Sequence, residues 1–178
     1  MTPNERLTKS GLPIDWTTIL AGWRGIGPYR PRKMSGKEVV AYALDRIGLG
    51  TEEEDQIAAL LANTDPQEWQ TIDCYLELLT TNTTNNFPIA ICVWRLAELK
   101  GLLETLDGGV YDDDETFALL YALEDFWLYY LELPDSASMI PSWGDGAVDM
   151  IRVNKKWAEQ EEASIRAELN GSQQINPL

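Results

Sequence analysis

Apolar residues recur three and four positions apart along nearly the whole chain, and no two-residue alternation persists. The first spacing lines one face of a helix and the second lines one face of a strand, so this chain has only helices from which to build a core. Breakers and caps divide the pattern into segments. Asp15 stands before Trp16, Ile19, Leu20 and Trp23, and Gly25, Gly27, Pro28 and Pro31 end that run. Residues 23–36, with Arg24, Arg30, Arg32 and Lys33, read as a loop. Ser35 with Glu38 forms a capping box ahead of a helix whose face is Val40, Ala43, Leu44 and Ile47. Gly48 and Gly50 close it, and Thr51 caps a helix facing inward with Ile57, Leu60 and Leu61.

Asp65-Pro66 reads as a cap with proline at the first helical position, leading into Trp69, Ile72, Leu76 and Leu79. Pro88 opens the next helix, with Ile89, Val93, Leu96, Leu99 and Leu103. After Gly108-Gly109, the acids at 112–115 open a helix over 117–131 that is apolar nearly all round, the pattern of a helix at the centre of a bundle. Pro134 stops it. A last helix spans about 147–169 and carries Ile151, Ala158, Ile165 and Leu169 on its stripe. No repeat of fixed period is present. The expectation is an all-α protein: one irregular bundle of about six or seven helices in a single domain over 1–178. Residues 1–13 and 170–178 are expected as flexible tails. The length suits one domain with a core that needs no disulfide or metal.

The 178 residues carry a net charge of −15, unevenly placed. Residues 1–50 hold eight Lys/Arg and four Asp/Glu, whereas residues 51–151 hold two Lys/Arg and twenty-one Asp/Glu. Such a field opposes nucleic acid and anionic membrane, and it speeds encounter with a basic protein. Solubility alone is the plainer account of the same charge. Residues 1–12 lack a signal-like apolar stretch, no run approaches the ~20 residues needed to span a bilayer, and a cytoplasmic location is expected.

Histidine is absent, which removes the commonest general base and metal ligand and the usual Ser-His and Cys-His pairs. Cys74 and Cys92 have no CxxC spacing and read as core thiols. No phosphate-cradling glycine loop is present. Carboxylates remain. Glu124 and Asp125 interrupt an apolar helix, Glu77 and Glu98 also sit among apolar residues, and facing acids of this kind hold Mg²⁺ without histidine. The alternative is pairing with Arg95, Lys100 or the basic N-terminal segment. Neither a catalytic residue nor a cofactor is expected.

Two acidic runs stand out: Glu52, Glu53, Glu54 and Asp55, then Asp112, Asp113, Asp114 and Glu115. One or two acids suit a helix start; four in a row repel one another, so capping leaves a surplus. With Asp135, Asp145 and Trp143, a tryptophan flanked by acid, these eleven residues form the expected partner-binding set. Trp16, Trp69, Trp94 and Trp127 lie within helical patterns and read as core.

The stretch Asp15-Trp16-Thr17-Thr18-Ile19-Leu20-Ala21-Gly22-Trp23, followed by residues 35–45 with Glu38 and Tyr42-Ala43, resembles an uncharacterised all-helical bacterial family thought to include acidic immunity proteins of polymorphic-toxin systems. The resemblance spans about the first third of the chain. It implies inhibition of a cognate toxin by tight one-to-one binding and carries over no site residues. The alternatives are a Mg²⁺ or Mn²⁺ carboxylate hydrolase and a structural or adaptor subunit.

Overall fold

A computed structural model of the chain describes residues 2–25, 32–81, 87–107, 113–130 and 146–173. The protein is all-α, with eight helices and no strand among the described residues. In chain order these are α1 (Pro3–Lys9), α2 (Trp16–Arg24), α3 (Gly36–Arg46), α4 (Glu52–Ala62), α5 (Trp69–Thr80), α6 (Phe87–Asp107), α7 (Asp113–Tyr130) and α8 (Gly146–Gln173). By their contacts they group into two compact units, residues 1–94 and 95–178, and the division falls inside α6.

The caps act where the sequence places them. Asp15 Oδ1 accepts from the Thr18 N–H at 2.7 Å. Ser35–Glu38 and Thr51–Glu54 form reciprocal capping boxes, each satisfying two backbone donors that a helix start leaves unpaired. Two expectations differ. Residues 2–13, expected within a flexible tail, hold a helix: Thr2 and Glu5 make a third capping box, and Leu7 and Leu12 are buried. Asp65-Pro66 does not open α5. Asp65 Oδ1 accepts from the Gln67 N–H at 2.9 Å and its carbonyl from the Glu68 N–H at 2.9 Å, a side-chain-stabilised turn, so the helix starts at Trp69.

In the first unit α2 packs on α3 and α5, α3 on α4, and α4 on α5. The core is Ile19, Ala21, Trp23, Val39, Ala43, Ala58, Leu61, Ile72 and Leu76, with Trp94 from the start of α6. The Trp94 indole N–H donates to the Thr18 carbonyl at 2.8 Å. A Cβ on Gly22 would stand 2.4 Å from Trp94 Cζ2, so α2 carries glycine where the indole lies against its backbone. The buried faces of α3 and α4 share Ala43 and Leu61 with those expected and differ at their other positions. Val39, Ala43, Ala58 and Leu61 point inward, while Leu44 is 63% exposed and Leu60 is 55% exposed.

In the second unit α7 packs on α8. Trp127 meets Trp157 edge to face with ring centroids 4.8 Å apart, and its indole N–H donates to the fully buried Asn154 at 2.7 Å. Asn154 in turn donates to the Met150 carbonyl, so this polar group is satisfied inside the core. Phe117, Tyr121 and Leu128 are exposed, which does not suit the central position expected of α7. The part of α6 that belongs to this unit buries Leu96, Ala97, Leu99, Leu103 and Leu106.

Candidate functional site

The α3–α4 turn concentrates the features that sequence reasoning pointed to. Glu54 Oε2 accepts from the Thr51 N–H at 2.9 Å, and Asp55 Oδ1 accepts from the Gly50 N–H at 3.2 Å. Two of the four acids are thus spent on backbone donors. Glu52 and Glu53 are exposed and bridge to no cation among the described residues. Asp112, Asp135, Trp143 and Asp145 lie outside the described residues, and Asp113, Asp114 and Glu115 lie in the first turn of α7, where only the backbone is described.

Between the head of α2 and this turn lies a cleft of about 240 Å³. Trp16, Leu49 and Ala58 give it apolar walls. Asp15, Glu54 and Asp55 supply three carboxylates, and Arg46 supplies the only cation of the lining. Trp16 is held edge to face against Tyr42 with centroids 5.1 Å apart. The Tyr42 hydroxyl donates to the Ile14 carbonyl at 3.0 Å, and the Arg46 guanidinium stands 5.5 Å from its ring. Burial pushes the Tyr42 phenol up to about 12, against a smaller opposing effect of Arg46.

A phenol raised in the folded state stays protonated while its unfolded counterpart, near pKa 10, ionises. Stability is therefore fully present below about pH 10 and falls between about pH 10 and 12, by up to about 1.4 kcal/mol per pH unit. Urea midpoints measured across that window should show this decline, and Tyr42→Phe should flatten it.

A second cluster in the same unit escaped the sequence reading. Trp69 was expected in the core but is 45% exposed. It stacks on Trp23 at 4.5 Å, and the Arg32 guanidinium lies 3.7 Å from its ring and 4.5 Å from that of Trp23. One helical turn along α5, Asp73 takes a two-pronged contact from Arg24, Nε at 2.9 Å and Nη2 at 2.8 Å. Arg24 also reaches Glu77. The hydrogen bond from Arg24 holds the Asp73 carboxyl below the usual carboxylate range. Trp69, Asp73 and Glu77 are spaced by four along α5, a signal in the sequence that one exposed stripe exists. Nothing local says that Arg24 meets it.

Of the carboxylates weighed as metal ligands, Glu77 belongs to the first unit and Glu98, Glu124 and Asp125 to the second. Glu77 pairs with Arg24, Asp125 is exposed, and Glu98 and Glu124 are half-buried. Among the described residues no three Asp, Glu, Cys or His side chains stand close enough to hold a metal ion. In the second unit the buried Arg95 pairs with Glu161, and Glu162 takes Lys100 and Arg166. The hydrogen bond from Lys100 lowers the Glu162 carboxyl. Cys74, expected in the core, is exposed, and Cys92 is half-buried.

Among the described residues no helix is long and apolar enough to cross a membrane. Neither a curated protein nor a solved structure matches the chain. A family profile does match, over residues 5–138: that of a family described as "Uncharacterized protein conserved in bacteria (DUF2247)". The match covers most of the chain and takes in the whole α3–α4 turn with its cleft, and the protein belongs to this bacterial family.

Proposed function

We propose that this protein binds a basic bacterial protein through the acidic α3–α4 turn, and that it serves as a cytoplasmic immunity protein neutralising a cognate toxin. One observation carries the reading. Glu52 and Glu53 are exposed and surplus to the caps, on the same turn as the exposed Ile47 and Leu49. Apolar residues within a charged rim are the usual anatomy of a protein interface. A toxin that attacks nucleic acid needs a basic active site, and acids presented in place of phosphates oppose it directly. The surrounding charge, net −19 over residues 51–151, would steer the encounter.

Capture from the native bacterium at low and moderate salt should yield one stoichiometric basic protein that is lost as salt rises. Glu52→Lys combined with Glu53→Lys should then slow association about tenfold at low salt and reduce its salt dependence, with little change in dissociation. Stopped-flow mixing reads both rates. An unchanged association rate removes this turn from the interface.

The exposed Phe117, Tyr121 and Leu128 on α7 favour a second reading, a structural or adaptor subunit that associates with itself. Capture of copies of this chain alone, insensitive to salt, would support that reading over the first.

A further inference from the structure

The cleft beside the α3–α4 turn has a lining that specifies a ligand more narrowly than the acidic surface around it. At about 240 Å³ it lies below the ~300–1,000 Å³ usual for small-molecule and cofactor sites, and suits one long side chain. Its three carboxylates against one guanidinium reject phosphates and other anions. Its apolar walls, Trp16, Leu49 and Ala58, give an aliphatic stem a surface to lie on.

The carboxylates are also fixed in place. Asp15 Oδ1 holds the Thr18 N–H and hydroxyl, both at 2.7 Å, Glu54 Oε2 holds the Thr51 N–H, and Asp55 Oδ1 holds the Gly50 N–H. In each case one oxygen anchors the group to a backbone N–H and leaves the other for a further donor. Charges arranged before binding need no reordering when a cation arrives.

We infer that this cleft receives one lysine or arginine side chain of the partner, its stem against Trp16 and Leu49 and its cationic head among Asp15, Glu54 and Asp55. The inference rests on the partner reading above and adds the anchor: Glu52 and Glu53 set the rate of encounter, and the cleft sets how long the complex lasts.

The test needs no partner protein. The full chain, labelled with ¹⁵N, is titrated at constant ionic strength with Nα-acetyl-lysine amide and Nα-acetyl-arginine amide. Nα-acetyl-norleucine amide serves as the uncharged control of similar length. The Trp16 indole N–H and the Gly50 amide should shift and saturate with a Kd on the order of millimolar for at least one cationic amide, and not for norleucine. Asp15→Asn with Asp55→Asn keeps an acceptor oxygen at both caps while removing both charges, and should weaken that Kd about tenfold. Should this pair fail to fold, Leu49→Lys changes a residue that is 70% exposed and places a competing ammonium at the cleft, with the same loss expected.

No saturable shift at Trp16 and Gly50, or equal shifts with norleucine amide, overturns the inference. Either result leaves the salt-sensitive capture experiment standing. Conversely, a cleft that binds the cationic amides in a chain that captures no basic protein would sink the immunity reading alone.

Discussion

Replacing Trp94 by alanine should cost about 3–5 kcal/mol, a large part of the stability of an ordinary domain. Trp94 is fully buried, and its indole joins α6 to α2 twice, by area and by the 2.8 Å hydrogen bond to the Thr18 carbonyl. Urea unfolding followed by circular dichroism, which does not depend on the lost fluorophore, measures the drop. Trp94→Phe should cost less, about 1–2 kcal/mol, because most of the ring volume stays and only the N–H and one ring are lost. The adjoining glycine gives the test its specificity. Gly22→Ala alone puts a methyl 2.4 Å from Trp94 Cζ2, and overpacking of that kind costs about 1–3 kcal/mol. With Trp94 already alanine the clash is gone. The same substitution should then stabilise by about 0.5–1 kcal/mol, as Gly→Ala does within a helix. This change of sign in a double-mutant cycle would place the strain between these two residues. Additive effects would mean that the indole does not lie against Gly22.

Local chemistry was the legible part of the fold. Asp15, Ser35 and Thr51 each accept from a backbone N–H three residues on, so their effect is contained in four residues of sequence. The helical class and seven of the eight helices follow from spacing and breakers. Other features are set by packing at a distance. Val39 and Val40 are both apolar neighbours, as are Leu60 and Leu61, and only contact with another helix decides which of each pair turns inward. The helix α1 escaped notice because it spans two turns and contributes one buried residue, Leu7. At 65–68 the same Asp-Pro pair suits a cap or a turn, and the turn won through the Gln67 and Glu68 amides. The apolar length of α7 suggested a central helix, yet burial follows the surrounding elements, and Phe117, Tyr121 and Leu128 stand exposed.

The candidate site divides along the same line. That Glu52 and Glu53 are surplus to capping was readable from four acids in a row. The cleft was not, since Asp15 and Asp55 are forty residues apart and meet only because α3 returns the chain to the head of α2. The pairing of Arg24 with Asp73 spans 49 residues, and no local pattern encodes it.

The seating of α3 gives the second large effect. Gly36 is the first residue of α3 and is buried against the turn at 65–68. A Cβ there would stand 2.0 Å from the Pro66 carbonyl oxygen and 2.9 Å from its carbon. These are backbone atoms, and the turn that presents them is tied by the Gln67 and Glu68 amides to Asp65, so no side chain can rotate away. Gly36→Ala therefore forces α3 and the turn apart and should cost about 3 kcal/mol, well above the gain of about 0.4–1 kcal/mol from a stiffer unfolded chain. In a chain of this size that corresponds to a melting temperature lower by about 6–12 °C in calorimetry. The contrast with Gly22 is the decisive part. There, truncating Trp94 makes room. Here Pro66→Ala leaves the offending carbonyl in place and should rescue nothing. Because the far end of α3 carries Arg46 into the cleft wall, the displacement should also reach the site. The Trp16 indole N–H of Gly36→Ala should resonate away from its wild-type position even at a temperature where the variant is fully folded.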